Sequence, residues 1–294
     1  MNKLLFFIII ISLPVMSSAL CIDYKTQINQ SLKTKNFDQL KKLLPLLENE
    51  GCASNYISAL QSKLAQMVSL KADELVMAGD LEQARSLLQR ASSIVNWETQ
   101  IIRADIVAFE GNWQEAAKLY NQALDLINDP KATPKAPSTK LIQKIFQLAS
   151  EAQILAGTLD GSRYSEHGVI IDNVRGFKPD KILIPVKFEF NKSTLSAEGK
   201  QSALHLLEYI KQHDFKKITL IGHTDAKGSE VVNDKISMKR ALTLKNYLKK
   251  SGINIPITAI GQGMRTPLIL DGINKRYTES EIDDLNRRVE VITE

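Results

Sequence analysis

Residues 218–241 read Ile218-Thr219-Leu220-Ile221-Gly222-His223-Thr224-Asp225-Ala226-Lys227-Gly228-Ser229-Glu230-Val231-Val232-Asn233-Asp234-Lys235-Ile236-Ser237-Met238-Lys239-Arg240-Ala241. The apolar run to Gly222 has the length of a short buried strand, and the polar stretch after it is a turn. A helix follows over about 230–250 and stops at Gly252. On a helical wheel of ~100° per residue, Ile236, Leu244 and Tyr247 share a stripe about 80° wide. Arg240 sits in the middle of that stripe, and so does Asn233. A guanidinium on a buried face is costly without a partner, so Arg240 calls for a nearby carboxylate. The alternative is an arginine that snorkels past the apolar residues to water. Asp225 stands in the turn at the C-terminal end of the strand, where open α/β sheets place their ligands. It could equally brace that turn through backbone N–H groups. Taken together, Asp225 and Arg240 can face one cavity. Such a pair suits a zwitterion, with ammonium on Asp225 and carboxylate forked on Arg240.

Outward from this stretch, strand and helix patterns alternate. Ile182 to Phe190 alternates as a strand, and Ser196 can cap a helix running to about Gln212. Two further strands are expected at 257–261 and 288–292, with a short helix near 278–285 between them. The pattern predicts one compact α/β sandwich, βαβαβ(α)β, with a mixed sheet and helices on one face.

The spacing Thr224-Asp225-x-x-Gly228-x-x-x-x-Asn233-x-x-Ile236-Ser237-x-x-Arg240-Ala241 resembles the core motif of the OmpA-like peptidoglycan-binding domain family. The likeness extends upstream through Val186-x-Phe188-x-Phe190-Asn191, Ser196 and Gly199. Downstream it takes in Gly261-x-Gly263-x-x-x-Pro267 and Asn286-Arg287-Arg288-Val289. It covers residues 182–292, and the long charged stretch 268–285 departs from the pattern without interrupting it. The resemblance implies that Asp225 and Arg240 clasp the amino and carboxylate groups of diaminopimelate in the peptidoglycan stem peptide. It also implies that Asn233 and Thr224 shape the pocket, and that Phe190 and Asn191 contribute its rim. Arg288 occupies a motif position whose role is either in the site or structural.

The N-terminal half has another period. Ala72, Gly79-Asp80, Ala84, Leu87 and Ala91 align with Ala104, Gly111-Asn112, Ala116, Leu119 and Ala123 at a spacing of 32 residues. Glycine marks a tight turn between two short helices, and alanine lets those helices approach. The pattern resembles tetratricopeptide repeats, whose period is ~34. Lys35-Asn36-Phe37 echoes the same turn in a divergent first hairpin, with helices at about 23–34 and 37–49. That hairpin would bring Cys21 beside Cys52. A bridge there would stabilise the unit by roughly 3 kcal/mol. Three prolines in 128–139 mark a spacer. A helix over about 140–157 and a polar, glycine-bearing stretch over 158–180 follow.

The first residues carry Lys3, an apolar run from Leu4 to Val15, and Ser17-Ser18-Ala19. This is the layout of a secretory signal cut after Ala19. The run of about a dozen residues falls short of the ~20 that a spanning helix needs. Export favours a disulfide between Cys21 and Cys52. Acylation of Cys21 is the alternative, and Leu20 stands where a lipoprotein signal resembles a small residue.

These readings predict an α+β chain: signal 1–19, helical repeats 20–127, linker 128–181 and the α/β domain 182–294. The net charge of +5 fits an acidic partner, but lysines are scattered and no basic block with aromatics points to nucleic acid. The four histidines show no metal spacing, and no Gly-x-Ser-x-Gly elbow occurs. No catalysis, cofactor or metal is expected. The partners expected are peptidoglycan and an unidentified envelope protein docked on the repeats. The expected location is the periplasm, at the outer membrane, with no transmembrane segment in the mature chain. A scaffold of an outer-membrane or secretion complex, with wall binding secondary, is the alternative reading.

Overall fold

The computed structural model describes residues 19–92, 95–157, 174–179, 181–184, 186–189, 192–268 and 277–294. The expected signal segment up to residue 18 lies outside these, as do Phe190 and Asn191. Among the described residues no helix is long and apolar enough to cross a membrane. The chain divides into two compact units, one ending at Ile106 and the other running from Val107 to Glu294.

The first unit is helical: α1 (Ala19–Ile22), α2 (Lys25–Lys33), α3 (Phe37–Asn49), α4 (Ser54–Ala78), α5 (Leu81–Arg90) and the start of α6 (Trp97–Phe109). One turn device recurs along the chain. Lys35, Gly79 and Gly111 adopt left-handed backbone (φ 51°, 84° and 75°), and each is followed by an Asn or Asp helix cap. Asn36, Asp80 and Asn112 accept the backbone N–H of Gln39, Gln83 and Glu115 in turn. Each cap satisfies a donor that the first helical turn leaves open. All six repeat alanines (72, 84, 91, 104, 116 and 123) are fully buried. Cys21 and Cys52 form a disulfide with Cα atoms 5.8 Å apart, at the edge of a core built on Ile28, Leu40, Leu47 and Leu60.

The second unit begins with α7 (Trp113–Asn128) and α8 (Thr139–Ala156), which lie along each other, and α8 also packs on β1. The rest of the unit comprises β1 (Ile182–Ile184), α9 (Ala197–Gln212), β2 (Ile218–His223), α10 (Glu230–Lys250), β3 (Ile257–Gly263), α11 (Glu279–Asn286) and β4 (Val289–Thr293). The sheet order is β1-β4-β2-β3, with β2 and β3 parallel and both β4 pairings antiparallel. Ile182, Ile184, Val289 and Val291 face a core shared with Leu206, Leu220 and Leu244.

Three expectations change. The division falls at 106/107 rather than 127/128, since α7 packs on α8 within the second unit. The described residues on either side of the expected helix, 128–138 and 174–179, are tied down rather than a free linker. Thr133 Oγ1 donates to Leu126 O (2.7 Å), Arg175 Nη2 donates to Thr133 O (2.9 Å), and Val174 and Phe177 close a tight two-residue turn by mutual backbone bonds. The strand expected over 182–190 stops at Ile184, where the proline that follows has no N–H for a ladder. Phe188 then meets Leu195 in an isolated bridge.

Candidate functional site

The helix α10 is pressed unusually close to the sheet. A methyl group on Gly222 would lie 2.2 Å from Ser237 O, and one on Gly261 would lie 2.6 Å from Met238 N. Ser237, fully buried, donates to Asp234 O and accepts Gly263 N–H, both at 3.0 Å. These contacts fix the height of α10 over the end of β2, and therefore of Arg240 over the loop that carries Asp225.

That loop is pinned along its length. Thr224 N–H donates to Gly263 O (2.9 Å), and Asn233 Nδ2 donates to Lys227 O (3.0 Å). Asn233 is thus buried as a brace of the loop. Asp225 accepts Lys227 N–H (3.1 Å), and its other oxygen pairs with Arg287 Nη1. Arg287 also reaches Asp284, and Lys227 pairs with Asp283, so α11 clamps the loop through two acids. The helix is itself tethered. Trp113 Nε1 donates to Glu281 (2.6 Å), its ring lies 5.3 Å from that of Tyr277, and Tyr277 OH donates to Glu151 (2.7 Å). The helices α7 and α8 therefore support the far side of the site.

Arg240 is half-buried, with its guanidinium 5.0 Å from the centre of the Phe188 ring. Its Nε is buried and has no hydrogen-bond partner among the described residues. Burial and the neighbouring charge of Arg287 pull its pKa down, against the attraction of Asp225. Thr224 Oγ1 is likewise buried without a partner. Two guanidinium groups and one carboxylate converge here, with an N–H and a hydroxyl left open.

The structure brings Asp225, Arg240, Thr224 and, as a brace, Asn233 together; Phe190 and Asn191 fall outside the described residues. Arg288 does not join them. It is 3% exposed, and its guanidinium donates to Glu290 (3.1 and 2.6 Å) and to Thr266 O (3.2 Å). Its neighbour Arg287 takes the place beside Asp225. Adjacent residues entering a strand project to opposite sides, so only one of the pair can reach the loop. The signal that selects Arg287 is the antiparallel register Gly222↔Val289, which sets residue 287 beside the loop after β2. Among the described residues no three His, Cys, Asp or Glu side chains are grouped so as to hold a metal.

Comparison with known proteins adds an independent finding. Residues 187–277 match the family described as the OmpA family. The chain is 36% identical over 112 residues to outer membrane protein A of Shimwellia blattae, covering 36% of this chain and 46% of that protein. It is 31% identical over 115 residues to outer membrane porin F of Pseudomonas fluorescens, covering 39% and 33%. It spans less than half the length of these curated relatives. Among solved structures, the peptidoglycan-associated lipoprotein from Burkholderia pseudomallei aligns over 40% of this chain and 91% of that one, at 21% identity and a TM-score of 0.32.

Proposed function

From the premise that residues 187–277 form an OmpA family domain, we propose that this is an exported envelope protein that holds peptidoglycan without catalysis. Its site would grip the zwitterionic end of diaminopimelate in a stem peptide. The observation that carries the reading is Arg240, stacked on Phe188 with a buried, unpartnered Nε beside Asp225. A carboxylate of the ligand would meet the accessible part of the Arg240 guanidinium and lie between Arg240 and Arg287. The ligand ammonium would sit on Asp225, sharing it with Arg287. Asp225, Asp283 and Asp284 balance Arg240, Arg287 and Lys227, so a ligand end with one ammonium and one carboxylate fits the site. Few contacts are available to so small a head group, and affinity per site is modest.

The helical first unit has cores of its own, around Leu60 and around Leu88. We assign it the docking of another envelope protein, with the wall-binding domain as anchor. The signal layout at 1–19 supports export, and with the OmpA family match it supports a place in the periplasm at the outer membrane.

The test is co-sedimentation of the purified protein with peptidoglycan sacculi. Asp225→Asn and Arg240→Ala should each lower the bound fraction about tenfold or more, since each removes a charge-assisted bond to the ligand. Undiminished binding in both variants, with melting unchanged, would remove the site. Release of soluble fragments from the sacculi would revive a catalytic reading.

A further inference from the structure

The sheet has a second covered face. Along β1 and β4 the core-facing residues alternate with Leu183 and Glu290, which point the other way. The helix α8 lies on that side, and between it and the sheet is a cavity of about 510 Å³. Ligand cavities commonly run from ~300 to ~1,000 Å³ and combine apolar walls with a few convergent polar groups. The apolar part of this one is made by Phe146, Phe177, Leu183 and Pro267, and its charged end by Arg288, Glu290 and Lys181.

The charged end is unbalanced. Glu290 accepts from Arg288 (2.6 Å) and from Lys181 (2.9 Å), so two cations share one carboxylate. Burial by itself would raise the Glu290 carboxyl, but His223, Lys181 and Arg288 together hold it well below the usual carboxylate range. It therefore stays ionised, and the cluster carries one net positive charge. Arg288 Nη1 is buried with no hydrogen-bond partner among the described residues. An unsatisfied buried guanidinium N–H is costly, and a site that leaves one open is completed by an acceptor.

We propose that this cavity is a second ligand site, separate from the Asp225 cluster, for a carboxylate carried on an apolar body. The carboxylate meets the Arg288 guanidinium, which lines the cavity, and the surplus charge. The apolar body lies along Phe146, Phe177 and Leu183. A cationic ligand would be repelled, and an apolar neutral one would leave the guanidinium unsatisfied. Water can also occupy the polar part of the cavity, which Gln147, Ser150 and Thr266 line, but it leaves the apolar walls of Phe146, Phe177 and Leu183 uncovered. The carboxylate could belong to a peptide C-terminus or to a free acid.

The intact protein, with labelled methyl groups, is titrated with octanoate, octanamide, N-acetylphenylalanine and N-acetylphenylalaninamide, reading the Leu183 and Leu268 signals by NMR. Saturable shifts are expected with an acid, and at least about tenfold weaker binding with the matching amide. Binding of N-acetylphenylalanine alone identifies a peptide end; binding of octanoate identifies a free acid. Arg288→Ala risks the fold because it strands Glu290. Gln143→Trp, from an exposed position lining the mouth, blocks entry without touching the ion pairs. It should weaken acid binding about tenfold while leaving melting and sacculus binding unchanged. The proposal is overturned if neither acid shifts these methyl groups at about 10 mM, a concentration above any useful Kd. It is also overturned if acid and amide bind equally, or if Gln143→Trp binds as well as the parent. None of these outcomes bears on Asp225.

Discussion

Gly222→Ala tests whether the close seat of α10 on β2 positions the proposed site. The added Cβ would lie 2.2 Å from Ser237 O and 3.0 Å from Ser237 C. An unstrained contact is about 3.5 Å, so the helix must back away by roughly 1.3 Å or the strand must bend. Overpacking of this kind costs ~1–3 kcal/mol. For a unit the size of residues 107–294, each kcal/mol lowers the melting temperature by roughly 2–4 °C, so a fall of about 2–12 °C is expected. The functional effect should be larger than the stability effect. Arg240 lies one turn beyond Ser237 on the same helix, and moving it by about 1 Å relative to Asp225 spoils a two-point grip. Sacculus binding at 20 °C, where the variant is folded, should drop about tenfold or more. Gly252→Ala is the control. Its φ of 96° strains an alanine, but nothing lies within 4 Å, so it should cost stability without displacing Arg240. If Gly222→Ala melts and binds like the parent, the helix is not held by this contact and the argument for the site's geometry fails.

Three further outcomes follow from charges and covalent links. Glu98 is buried, and its pKa is raised from 4.5 to about 7, chiefly by burial. Its folded form therefore keeps a proton that the unfolded chain gives up, so stability is lost as pH rises from about 4.5 to about 7. Glu98→Gln should flatten that dependence and add up to ~3 kcal/mol at pH 8, from 1.36 kcal/mol for each of about 2.5 pH units, with no gain at pH 4. Denaturant melts across pH decide this; an unchanged slope between pH 5 and 7 refutes it. Cys21→Ser with Cys52→Ser should cost about 3 kcal/mol through a closed loop spanning 31 residues. Amide exchange should rise in α2 and α3 while β2 and β4 keep their protection; equal loss in both units would refute a local role. Arg287→Gln removes a partly exposed pair with Asp225, so its stability effect should be about 1 kcal/mol and should shrink in 1 M salt. A loss of several kcal/mol, insensitive to salt, would place that pair deeper than the structure does.

The helices and strands of the second unit were legible in the sequence because their signals are local. Ser196 and Ser229 cap α9 and α10, Gly252 follows the end of α10, and apolar runs mark β2 and β3. The turn at Lys35-Asn36 was legible for the same reason, and so was the meeting of Cys21 with Cys52, since a hairpin returns the chain to its start. The failures have separate causes: β1 ends early at a proline that the sequence already shows, while other misplacements are long-range. The place of α7 and α8 depends on Trp113 reaching Glu281 and Tyr277 reaching Glu151, contacts 168 and 126 residues apart that no local pattern encodes.

By itself the sequence determined most of the elements, and that an arginine lies on the inner stripe of α10 near an acid in the preceding turn. Periodicity, caps and turn residues act over a few residues and can be read in order. Only the tertiary structure decided which arginine meets that acid. Arg287 and Arg288 are chemically identical neighbours, and the antiparallel pairing of β4 with β2 sends one to Asp225 and the other to Glu290. Register is set by the packing of the whole sheet, and a shift of one residue would exchange their roles.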